Sequence, residues 1–301
     1  MNKRLVILIF SVSILFLTTG CTKKPVTTKT NSEILHVATT IPPLSMILEE
    51  VASKEIVIHQ ILPTGASPHT FEVTPQILKQ LDQTDIVFTI GHGVDNWIYN
   101  VIEITDGLKQ VTVDKHITFR SSHDHDDDNH DHGNIDPHYW LSPDNAVQIA
   151  YQMADALKIQ DPNNADIYIN NAKLFEEKIG EKNIQWQAEL EQIANKDIIV
   201  FHDAWGYFSD YFNIQIVSSF EPFPGKSPTP KYLTILQETI EKHHIKALFL
   251  EPQLSTDAMQ TFATDMNVKL GNLDPLGGIE ERKTYIDLID YNVKTIIDTL
   301  K

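Results

Sequence analysis

The chain has 301 residues, 42% hydrophobic and 22% charged, with a formal net charge of −17 at pH 7 and one cysteine. That length accommodates two domains of ordinary size. The acidity argues against nucleic-acid partners and suits cations, and a lone cysteine rules out an internal disulfide.

Residues 1–20 read as a signal peptide. Lys3 and Arg4 precede an apolar run over 5–17 and the small residues Thr18, Thr19 and Gly20. The run is too short for a stable membrane span and carries the basic leading end of an export signal. Its removal takes two basic residues and brings the net charge to −19. Cys21 then stands beside the cleavage site, in a position that resembles a bacterial lipobox, where the cysteine is diacylated and anchors the new N-terminus to a membrane. Thr18 occupies the place where such motifs usually carry Leu. The competing reading is ordinary secretion with Cys21 near a cleaved end. Residues 22–31, with three Lys, four Thr and a Pro, read as a flexible tether, so 21–32 lie outside the fold.

From residue 33 onward, short β-rich runs alternate with helical patterns. The expected strands are 34–39, 56–62, 85–90 and 111–113 in a lobe over 33–160, and 198–201, 214–218, 246–250 and 268–273 in a lobe over 196–301. Continuous apolar runs such as Ile86-Val87-Phe88 and Ala247-Leu248-Phe249-Leu250 suit parallel strands covered by helices on both faces. The fold class is therefore α/β, with two lobes of about four mainly parallel strands each. Thr74-Pro75, Ser142-Pro143 and Thr229-Pro230 place a capping hydroxyl before a proline suited to the first helical turn. Ala146, Ala150, Met153 and Leu157 keep a helical spacing that packs a core.

Between the lobes, 161–195 reads as one linking helix with Ala172, Phe175, Ile179, Trp186, Leu190 and Ile193 on one face. About 34 residues at a rise of 1.5 Å span about 50 Å. Such a connector limits hinge closure, which places a ligand site between lobes that move little.

Within the first lobe, the stretch 121–143, SSHDHDDDNHDHGNIDPHYWLSP, packs His123, His125, His130 and His132 among five aspartates, then adds Asp136 and His138 before a helix start. Imidazoles beside carboxylates suit borderline divalent metals, zinc above all. A run of Asp and His with no apolar residue also reads as a solvated loop, so 121–135 is expected to be disordered without metal.

In open α/β sheets ligands bind beyond the carboxyl ends of strands, so polar residues placed there are the informative ones. His69 lies in GASPHTFEVTP after the second strand, His138 in DPHYWLSP, His202 at the close of IIVFHDAWGYF and Asp274 in NLDPLGG after the last strand. Three neutral imidazoles and a carboxylate satisfy tetrahedral zinc. Asp274 also suits a turn cap before Pro275 and Gly277, and Glu251 in FLEPQLS is the competing carboxylate, better suited to orienting a ligating His. Trp140, Trp205 and Phe223 suit either a site wall or the core. His92 reads as a loop residue, His243 and His244 as cations at a helix end, and His36, His59 and His116 have no evident partner.

These segments, the lipobox-like Cys21 and the long helix resemble the zinc and manganese solute-binding lipoproteins of bacterial ABC importers, over essentially the whole mature chain. The resemblance implies His69, His138, His202 and Asp274 as metal ligands between the lobes. It also implies a permease partner in the membrane, a lipid-anchored extracytoplasmic location and a monomer. Manganese-preferring members tend to carry Glu at the third position, where this chain has His202, and a His-rich acidic loop is typical of zinc-type members; zinc is therefore expected over manganese. An adhesive role, also associated with this family, has no residue here to support it. A zinc hydrolase, with Asp274 or Glu251 as base on a bound water, is the rival from another class, and no HExxH is present. Because imidazole binds metal only when neutral, affinity is expected to fall as pH drops through roughly 6.5.

Overall fold

The computed structural model describes residues 34–52, 54, 56–121, 135–221, 226–279 and 281–301. The signal peptide, Cys21, the tether, the loop histidines His123, His125, His130 and His132, and Phe223 lie outside them. Two four-stranded, all-parallel sheets organise the rest. In the first lobe β1 (Leu35–Thr39), α1 (Pro42–Val51), β2 (Ile56–Gln60), α2 (Pro75–Leu81), β3 (Ile86–Thr89), α3 (Tyr99–Ile104) and β4 (Lys109–Thr112) give the strand order β2-β1-β3-β4. Next come α4 (Pro143–Gln160) and α5 (Ala165–Leu190). The second lobe, β5 (Asp197–Val200), α6 (Gly206–Phe212), β6 (Gln215–Ser219), α7 (Pro230–His243), β7 (Ala247–Leu250), α8 (Asp257–Met266), β8 (Lys269–Asn272) and α9 (Tyr285–Leu300), repeats the order as β6-β5-β7-β8.

All eight strands fall where the apolar runs place them. β3 and β7 are buried at every position, which is what helices on both faces require. Both sheets switch direction of winding at their first strands, β1 and β5, and the segments leaving the carboxyl ends of these parallel strands form the cleft.

Helix starts are subtler. Pro75, Pro143 and Pro230 all open helices, but only Thr229 caps with its side chain, accepting from the Tyr232 N–H at 3.2 Å; the hydroxyls of Thr74 and Ser142 make no cap bond. Proline's fixed φ suffices at the first turn, where its missing N–H has no helical partner to lose.

The linking helix is shorter than the sequence pattern suggests. A 3₁₀ turn over Pro162–Asn164 precedes α5, whose 26 residues span about 39 Å. Pro162 disfavours helical backbone at Asp161, which sits at φ −130° and ψ 76° and ends α4 there. α5 still buries Ala172, Phe175, Ile179, Trp186 and Leu190. It is tied to both lobes: Lys178 pairs with Glu50 on α1 at 2.7 Å, and Lys182 with Asp290 on α9 at 2.6 Å. The Phe175 and Tyr285 rings meet at 5.9 Å, adding a buried apolar contact to the second of these joints. Among the described residues no helix is long and apolar enough to cross a membrane.

Candidate metal centre

Each histidine of the centre is delivered by a segment that leaves a sheet or enters a helix. His69 sits in a 3₁₀ turn (Pro68–Thr70) beyond β2, His138 immediately before another (Tyr139–Leu141) that leads into α4, and His202 just beyond β5. One ring nitrogen from each lies within 4.8 Å of the others, and no other group of three or more metal-ligating side chains meets that spacing among the described residues. His69 Nε2 and His138 Nε2 are 3.3 Å apart, and the three ring centroids are separated by 5.4–5.5 Å. His138 and His202 are buried while His69 is exposed, so the cluster opens toward solvent on one side. The enclosed space is about 10 Å³, walled by Trp140, Glu251, Gln253, Pro275 and Leu276 among others.

Two carboxylates aim the buried rings. Asp136 Oδ1 accepts from the His138 backbone N–H at 3.0 Å and lies 2.8 Å from Nδ1. A carboxylate can only accept, so Nδ1 carries the proton and Nε2 keeps its lone pair for the cluster. Asp136 is itself fitted against the second lobe: its backbone carbonyl accepts from Tyr207 Oη at 2.9 Å, and a Cβ at Gly206 would stand 2.9 Å from Asp136 Oδ2 and 2.6 Å from Arg120 Nε. The only signal for Asp136 in the sequence is its place two residues before a candidate ligand. Replacing Asp136 with Ala is expected to weaken metal affinity about 10-fold, read by competition with a chromophoric chelator.

Glu251 takes the corresponding place at His202. Its Oε2 lies 2.7 Å from His202 Nδ1, and its Oε1 accepts from the Trp205 indole N–H at 3.0 Å. Burial pushes the His202 imidazolium down, but the carboxylates of Glu251, Asp203 and Glu221 outweigh it and hold the group above the ordinary imidazole range. Nδ1 of His202 is taken up by Glu251, whereas among the described residues no hydrogen-bond partner reaches its Nε2, although the residue is only 4% exposed. A buried polar atom left unsatisfied costs about 1–3 kcal/mol. A cation at Nε2 removes that cost, so the donor set fits a metal ion.

Asp274 is not among the converging atoms. Its Oδ1 accepts from the Leu276 and Gly277 N–H groups, each at 3.0 Å, and from Gln253 Nε2 at 2.6 Å, while Oδ2 pairs with Arg282 Nη1 at 3.0 Å. It caps the turn through Pro275. Trp140 and Trp205 are both buried: the Trp140 ring lies 5.3 Å from that of His138 and its N–H donates to the Pro275 carbonyl, while Trp205 reaches the centre only through Glu251. The remaining histidines lie elsewhere. His92 pairs with Asp114 at 3.0 Å, His243 with Asp197 at 3.2 Å, and His36 with His59 at 3.1 Å across β1 and β2. His244 is the left-handed residue that ends α7, and His116 has a positive φ of 63°.

The family model described as the zinc-uptake complex component A, periplasmic, ZnuA, matches residues 37–299. The chain belongs to the ZnuA family. Within and around it, the chain is 27% identical over 289 residues to the high-affinity zinc uptake system protein ZnuA of Yersinia pestis, covering 88% of this chain and 91% of that protein. It is 25% identical over 291 residues to the manganese-binding lipoprotein MntA of Halalkalibacterium halodurans, covering 93% of each. A crystal structure of ZnuA superposes with a TM-score of 0.81 at 24% identity, covering 89% of this chain and all of that one, which shows the shared fold. The family is one of substrate-binding receptors, and the fold is shared with its solved member.

Proposed function

We propose that this protein is an extracytoplasmic receptor that captures zinc and delivers it to an ABC-type permease, performing no chemistry of its own. The observation that carries the reading is the convergence of His69, His138 and His202, with His202 buried and its Nε2 unpartnered. Imidazole ligands are softer than carboxylates and favour zinc over manganese. The zinc-uptake function in the name of the Yersinia pestis relative supports the same cargo. The manganese relative keeps a second reading alive, manganese capture by the same kind of receptor. The space beside the three histidines, about 10 Å³, is of a size for an ion. Anchoring through a lipidated Cys21, a monomeric state and docking to a membrane permease complete the proposal. The acidic His-rich stretch, with His123, His125, His130 and His132, is proposed as an accessory collector of metal.

Competitive metal titration of the soluble form from Thr22 onward tests this. One tight zinc, resistant to manganese, with weaker additional sites that vanish when residues 123–132 are deleted, is expected. Preferential retention of manganese moves the function to manganese uptake, and loss of the tight site with the deletion means that the primary site lies in the loop.

A further inference from the structure

We infer that Arg282 sets the metal selectivity of this centre by holding the Asp274 carboxylate away from it; the inference rests on the zinc receptor proposed above. Asp274 is 1% exposed and stands behind the wall of the cavity, since its neighbours Pro275 and Leu276, and its partner Gln253, all line it. An ionised carboxylate offers about four acceptor positions, two on each oxygen; here Oδ1 is crowded by three donors, Gln253 Nε2 and the Leu276 and Gly277 amides, and Oδ2, the less occupied oxygen, is held by Arg282 Nη1. The backbone is pinned as well, because Asn292 accepts from the Asp274 N–H and donates to its carbonyl, both at 2.8 Å. Oδ2 is the oxygen with capacity left for a metal, and the Arg282 cation that holds it competes with a dication for it.

Arg282 is equally fixed. It is 8% exposed, its guanidinium carbon stands 4.1 Å from the centroid of the Tyr291 ring, and its backbone closes a tight turn through Arg282 N to Ile279 O at 2.8 Å and Gly278 N to Arg282 O at 2.9 Å. Gly277, at φ +65°, is needed for that turn: a Cβ there would stand 3.0 Å from the Arg282 carbonyl and 2.8 Å from Met46 Cε. The cation is therefore held in the position of a competitor for Asp274. With Asp274 withheld, the site presents imidazoles alone and suits zinc; with Asp274 released, an added hard oxygen ligand raises the standing of manganese. Arg282 is thus a positioning residue that acts through Asp274 and need not touch the metal.

Zinc and manganese dissociation constants, measured by competition on metal-free protein for the wild type, Arg282→Gln, Arg282→Lys, Asp274→Asn and the Arg282→Gln/Asp274→Asn pair, test this. Arg282→Gln is expected to tighten manganese about 10-fold while changing zinc by less than about 3-fold. The gain disappears in the double variant, and Arg282→Lys, which keeps a cation in reach, retains wild-type selectivity. The visible spectrum of bound cobalt(II) is expected to weaken in Arg282→Gln as a further oxygen joins a tetrahedral ion. Two results overturn the inference: an unchanged manganese-to-zinc ratio in well-folded Arg282→Gln, or a loss of zinc affinity of about 10-fold in Asp274→Asn alone, which makes Asp274 a ligand. The near-isosteric Asp274→Asn variant keeps the question decidable even where Arg282→Gln melts early. A wild type that binds neither zinc nor manganese tightly instead removes the receptor reading itself.

Discussion

Replacing His202 with Ala is expected to weaken zinc binding by about 100-fold or more. A protein zinc site is worth about 10–16 kcal/mol, so each of three histidines carries roughly 3–5 kcal/mol, which is about 100-fold or more in affinity. His202 is the ligand whose loss is hardest to make good. It is 4% exposed, so no bulk water stands ready to replace it, whereas exposed His69 leaves a position that solvent fills. His69→Ala is therefore expected to cost less. His202→Ala has a second consequence, because it leaves the Glu251 carboxylate, 1% exposed, with the Trp205 indole as its remaining hydrogen-bond partner. Breaking a buried pair by removing one member costs about 3–5 kcal/mol, so the metal-free variant should also melt earlier. The double variant His202→Ala/Glu251→Gln separates the two effects: it should recover most of the melting temperature and none of the zinc affinity. Isothermal titration in the presence of a competing chelator, with melting curves alongside, reads both. A folded His202→Ala protein within about 3-fold of wild-type zinc affinity rules out the three-histidine centre.

The strands were legible because this architecture buries them on both faces, and β-rich apolar runs bounded by polar turns have little else to become. The three histidines that converge were legible as candidates for a related reason. Parallel strands deliver their carboxyl ends to one cleft, so His69 and His202 follow from topology once the strands are placed, and His138 from the helix start beside it. Other features depend on neighbours that spacing does not reveal. The aspartate after β8 had two readings, ligand and turn cap, and what separates them is Arg282, brought alongside by a turn eight residues on. Asp136 is a short step from His138 in sequence, but its role depends on Tyr207 and Gly206 of the other lobe making room for it. The length of the linking helix was overestimated at both ends: Pro162 turns Asp161 out of the helix and a 3₁₀ turn follows, and the apolar spacing runs on to Ile193 although the helix ends at Leu190.

Glu251→Gln should weaken zinc by several tens-fold at neutral pH and change the pH dependence of what remains. Wild-type Glu251 does two things. Its Oε2, 2.7 Å from His202 Nδ1, favours the tautomer that leaves Nε2 free for metal, and its charge attracts a dication in a buried site. Gln keeps the shape and removes the charge. In the wild type the His202 imidazolium is held above the ordinary range, because nearby carboxylates outweigh the burial that lowers it. Protons therefore compete with zinc from above roughly pH 6.5 downward, a higher onset than an unperturbed imidazole gives. In Glu251→Gln burial gains weight and the onset moves down. The affinity ratio of wild type to variant should shrink as pH falls. Metal-free stability carries the opposite sign. A histidine whose folded-state value is raised stabilises the fold fully below its unfolded value of about 6.5, and that stabilisation is lost as pH rises through the folded value. The melting advantage of metal-free wild type over Glu251→Gln should thus be larger near about pH 6 than near about pH 8.5, while the zinc-induced increment in wild type grows across the same interval. A ratio of affinities independent of pH, together with a constant melting difference, would show that Glu251 orients His202 without governing its charge, and that proton and zinc do not contend for this imidazole.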